Sequence, residues 1–155
     1  MSTVGCSKKT GEQDIGKEEI IGAMPTNGEV RDPIHGREAW LAVGAIEGEE
    51  GTPANGVVTA HYFEDGTFIL GMQVNIALPP DKSFYEAWLV PNDGNEWIPL
   101  GHLTSLHGDA RHHVKFEAKE DYRKYLALAI TLEKDDGNED PSSQIAHALL
   151  KRRTR

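Results

Sequence analysis

The chain has 155 residues, room for one domain with a core, and its formal net charge of −9 argues against binding a phosphate backbone. It contains no run of about 18 apolar residues, so no segment reads as a transmembrane helix. Its single cysteine, Cys6, excludes an internal disulfide framework and any multi-thiolate metal site.

From Ser7 to Glu38 large apolar residues are scattered among Lys, Glu, Asp and Gly. Such a segment buries too little to offset its ordering entropy, so residues 1–38 are expected to be a disordered tether and residues 39–150 the folded domain. Thr3-Val4-Gly5-Cys6-Ser7-Lys8-Lys9 resembles the cleavage region of a bacterial lipoprotein signal, which makes Cys6 a candidate lipidation site. The charged and apolar parts of such a signal do not precede it, so lipidation requires a start upstream of Met1. The alternative is a free thiol on a cytosolic tail.

From Ala39 onward the hydrophobic period is two. Ala39–Ile46 reads as the opening strand. Val57–Phe63 and Thr67–Ile76 follow, and the Glu64-Asp65-Gly66 connection predicts a hairpin with a type I′ turn. In the second of these strands Phe68, Leu70, Met72, Val74 and Ile76 share one face. Pro79-Pro80-Asp81-Lys82 stops the sheet. Phe84–Val90 is apolar on both faces except at Glu86, as in a central strand covered on two sides. After the Asn92–Asn95 turn, Trp97–Leu103 is broken by Pro99 and predicts an edge or a bulge. Arg111–Glu117, Tyr125–Glu133 and Gln144–Leu150 alternate again. Short strands separated by Gly, Asn, Asp and Pro predict an all-β antiparallel β-sandwich, immunoglobulin-like in architecture. Residues 151–155, with Lys151, Arg152, Arg153 and Arg155, read as a solvated basic tail.

Tyr85-x-x-Trp88-Leu89-Val90, a Gly94 turn and Ile98-Pro99-Leu100-Gly101 resemble the C-terminal domain of anti-sigma-K factors. Leu78-Pro79-Pro80 stands where that family has a Pro-rich turn, and Leu128–Glu133 with Pro141–Ile145 resembles its closing pair of strands. The similarity spans roughly Gly56 to Leu150 and implies an extracytoplasmic β-sandwich. It does not imply anti-sigma activity, which in the family belongs to a separate helical domain; the His-x-x-x-Cys-x-x-Cys motif of that domain is absent here.

Candidate chemistry is sparse. His102, His107 and His112 are weak candidate metal ligands; His112 and His113, adjacent on a strand, point to opposite faces and do not chelate one ion together. His61 reads as a core or boundary histidine. Ser105 lies near His102 and His107 but in no Gly-x-Ser-x-Gly elbow. Asp135, Asp136, Asn138, Glu139 and Asp140 form an acidic loop without the EF-hand spacing. Trp40, Trp88 and Trp97 are expected in the core, and a solvent-facing Trp88 and Trp97 would instead form a binding platform. The sequence therefore points to a non-enzymatic cell-envelope module, without a cofactor, that binds a protein or another envelope component. It would touch no nucleic acid, and it would meet the membrane only through a lipid anchor on Cys6. A periplasmic metal-binding protein or enzyme using the His102–His113 region is the alternative, and a cytoplasmic location follows if no signal peptide precedes Met1.

Overall fold

The period-two segments become strands of a single antiparallel sheet. The computed structural model describes residues 29–154, which contain ten strands. These are β1 (Arg31–Asp32), β2 (Gly36–Gly48), β3 (Ala54–Phe63), β4 (Phe68–Ile76) and β5 (Ser83–Val90). Then come β6 (Ile98–His102), β7 (Arg111–Ala118), β8 (Ala127–Lys134), β9 (Ser143–Leu149) and β10 (Lys151–Arg153). No helix occurs among the described residues. Cys6 and most of the expected tether lie outside them.

The hydrogen-bonded order is β6-β5-β8-β9-β2-β3-β4-β7. The two ends of that path meet at Thr104 and His113, whose amides donate to each other's carbonyls at 2.9 and 3.0 Å. The two faces of the sandwich are thus parts of one rolled sheet, closed at this seam. Long β2 makes the continuity: it pairs with β3 from Glu38 to Glu47, and with β9 and β10 on its other edge. Gly44, midway along it, lets the chains approach there, because a Cβ would stand 2.6 Å from the Leu149 carbonyl oxygen.

Inward-facing side chains fill the roll. Val58 and Ala60 of β3, Phe68, Leu70 and Met72 of β4, and Leu89 and Ile130 from β5 and β8 are each at most 2% exposed. Tyr85 closes one end, its hydroxyl donating to the Ala77 carbonyl at 2.8 Å. Beside it the His112 ring lies edge-on at 5.5 Å, its Nδ1 2.9 Å from the Ala110 carbonyl oxygen.

Four expectations need correction. The folded part begins before Ala39: Asp32 accepts from the Ile34 and His35 amides at 2.8 and 2.9 Å, and β2 starts at Gly36. This stretch is fixed by polar contacts, which a count of apolar residues does not register. The β3–β4 hairpin is present, but the Phe63 amide donates to the Thr67 carbonyl at 2.9 Å around a three-residue loop, with Gly66 at φ 87° and Asp65 not in the left-handed region. That is the form in which a turn is followed by one left-handed glycine, so the type I′ expectation fails while the hairpin stands. The start of the basic tail is a strand: β10 continues the register of β9 along β2, with Ile46 opposite Ala148 and Val43 opposite Lys151. Its side chains stay exposed, so pairing its backbone leaves the charges hydrated. Finally, Trp88 faces away from the main core, as described next.

Candidate functional site: an aromatic groove on β5 and β6

Strand parity sets the site. Tyr85, Ala87 and Leu89 point into the roll, so Phe84, Glu86 and Trp88 form a row on the outer face of β5. On β6, His102 stands opposite Glu86 and Pro99 opposite Trp88, with a bulge between Ala87 and Trp88. The proline thus sits on an end strand of the path and at a bulge, as its missing donor demands. On the other side, β8 places Ala129, Thr131 and Glu133 across from Trp88, Glu86 and Phe84.

Although it faces outward, Trp88 is only 3% exposed. The small Ala129 leaves room beside it, Trp97 stands edge-on at 6.3 Å, and its Nε1 donates to Thr131 Oγ1 at 2.8 Å. Two residues on, on the same face of β8, Glu133 accepts from the Ser142 amide at 2.8 Å. Burial alone would raise the Glu133 carboxyl, but the Ser142 and Thr131 donors hold it below the usual range. These bonds tie the β8–β9 connection to the strands and set residues 134–141 as one wall of an open groove of about 850 Å³.

The opposite wall is aromatic. Phe84 and His102 stack at 4.0 Å, and Trp97 is half-buried at the end nearer the Asn92–Asn95 turn. That turn carries Gly94 at φ 79°, and the Asn95 amide donates to Asp93 at 3.1 Å. Between the rings lies Glu86, its side chain 16% exposed. Its partner among the described residues is His102 Nε2 at 3.8 Å, beyond hydrogen-bond reach. Burial pushes the Glu86 carboxyl up, His102 pulls it down, and Glu133 and Glu139 raise it further. Glu96, Asp135, Glu139 and Asp140 add negative charge around the rim, against Lys134.

Depressions of similar volume occur on the outer faces of β3, β4 and β7 and of β2, but none of the three tryptophans lines them. Of the candidate metal ligands, His102 belongs to the groove, His112 is buried beside Tyr85, and His107 lies in the β6–β7 connection. They are not brought together, and among the described residues no group of three or more His, Cys, Asp or Glu side chains is arranged to hold a metal ion. Ser105 is held by Asp109, giving a hydrogen bond to its carbonyl at 2.8 Å and taking one from its amide at 2.9 Å. His61 pairs with Glu38 at 2.7 Å, and Trp40 packs 6.3 Å from Phe68 against the core. Thr131, Glu133 and Ser142 were not singled out from sequence. The available signal was a threonine and a glutamate on the face of β8 opposite Leu128 and Ile130, level with an outward tryptophan.

No curated protein matches the chain. A family model described as anti-sigma-K factor rskA, C-terminal, matches residues 22–145, most of the chain and all strands from β1 to β8. With an all-β antiparallel fold over the described residues of that span, the chain belongs to the family of anti-sigma-K factor C-terminal domains.

Proposed function

We propose that this domain is a non-enzymatic, extracytoplasmic sensory or scaffold module that binds an envelope component through the groove on β5 and β6. Family membership supports the location, since these domains form the outer part of their parent proteins. The observation that carries the binding role is the groove itself. Side chains from β5, β6 and the β8–β9 connection converge there, and two aromatic pairs are held on a rigid sheet. Ligands bind in concave surfaces where aromatic side chains meet polar groups that fix orientation, and this groove sets its rings among carboxylates. Attachment to the membrane through a lipidated Cys6 fits the same location.

The test uses the gene with its own upstream genomic sequence, expressed in a native-like host. Protease added to intact cells is expected to remove a C-terminal epitope, and the Cys6→Ser variant is expected to leave the membrane fraction. An epitope protected until lysis would contradict the location, and a Cys6→Ser variant still on the membrane would contradict the anchor.

A further inference from the structure

The groove has two properties that together select its occupant. The first is a carboxylate that no hydrogen bond holds. Glu86 is largely shielded from water, has no hydrogen-bond donor among the described residues, and faces His102 only at 3.8 Å. Water meets this carboxylate in the free protein, and a ligand that supplies a charged donor replaces that water with a stronger bond. The second is the ring arrangement: half-buried Trp97 at one end and the stacked Phe84 and His102 at the other line the same groove as that charge. Aromatic faces next to a carboxylate favour a cation, and a planar guanidinium stacks on rings better than a hydrated ammonium does.

Length narrows the choice. From Phe84 to Trp88 the row runs about 13 Å, the span of roughly four residues of extended chain. A lone amine would leave most of the groove empty. The rim carboxylates Glu96, Asp135, Glu139 and Asp140 add attraction along its length.

We propose that the groove binds an extended peptide segment of a partner protein through an arginine, whose guanidinium seats against Trp97 and pairs with Glu86. This rests on the groove being the binding surface of the domain, and it names the chemistry that surface takes.

The experiment is a titration of the purified chain with acetyl-Gly-Arg-Gly-amide at low salt, followed by tryptophan fluorescence and calorimetry. Acetyl-Gly-citrulline-Gly-amide and arginine amide serve as comparisons. Citrulline keeps the shape of arginine and removes its charge. Saturable binding of the arginine peptide is expected, weakened about tenfold or more by citrulline, by Glu86→Gln and by Trp97→Ala. Circular dichroism on both variants establishes that they are folded. Glu86→Gln is isosteric and Trp97 is half-buried, so neither removes a core residue. Absence of saturable binding, equal affinity for the citrulline peptide, or undiminished binding by folded Glu86→Gln would overturn the proposal. Arginine amide binding as tightly as the peptide would overturn the extended-segment assignment. A protein that fails these tests but is cleaved on intact cells keeps the extracytoplasmic reading and loses only this ligand.

Discussion

Trp88 makes one hydrogen bond, and that bond organises the outer face of β5 and β8. Its Nε1 reaches a fully buried Thr131, and on the same face of β8 Glu133 holds the Ser142 amide. Removing the indole should cost about 3–5 kcal/mol, a large part of the roughly 5–15 kcal/mol typical of a domain. Thr131→Val tests the bond itself, because it keeps the shape and leaves Trp88 without an acceptor. A loss of about 1–3 kcal/mol is expected. Denaturant unfolding checks both variants; unchanged midpoints would mean that the outer cluster is not part of the stable structure. The burial of Trp88 was legible in the sequence, but the face it occupies was not. Two apolar faces on one strand look alike until the parity of Tyr85, Ala87 and Leu89 is set against that of Phe84, Glu86 and Trp88.

Elements far apart in the chain are joined at the β3–β4 hairpin by one histidine. His35, in the β1–β2 turn, places Nδ1 2.8 Å from Asp65 in the β3–β4 hairpin and Nε2 2.9 Å from Glu117 of β7. Lys119 also reaches Asp65, at 2.9 Å. The bond to Asp65 raises the imidazole above its usual value despite partial burial, and the charges of Asp65, Asp32 and Glu117 add to the rise. Burial would raise Asp65, but Lys119, His35 and Thr67 hold it well below the usual carboxylate range. A raised imidazole contributes stability that is fully present below its ordinary value of 6.5 and is lost as pH climbs through the raised one. The lowered Asp65 contributes above its ordinary 3.8 and loses its contribution only as pH falls through the depressed value. The melting-temperature gap between wild type and His35→Gln should therefore be wide near about pH 5.5 and narrow near about pH 8.5. A gap independent of pH would contradict the protonated bridge. This junction escaped the sequence because Arg31–Glu38 is held by ion pairs and turn bonds, which have no hydrophobic period. Alternation did place β3, β4, β5, β7 and β8, and it separated β9 from a helix of similar composition.

Across the whole molecule, the architecture follows from one arithmetic fact: strands with a period of two bury one face and leave the other to solvent. Over most of the roll that outer face is polar. At β5 and β6 it is aromatic, and a connection fixed by Glu133 stands over it. The sequence carried the aromatic residues and the acidic loop separately. Their convergence depends on β8 lying next to β5, a pairing of residues about 45 positions apart that no local pattern reveals. The most direct measurement of the central claim maps binding onto the surface: amide chemical shifts of the labelled protein on addition of acetyl-Gly-Arg-Gly-amide. The account predicts changes concentrated at β5, β6 and residues 134–141, with little effect on β3 and β4. Changes centred on the outer face of β3, β4 and β7, or none at saturating peptide, would contradict it.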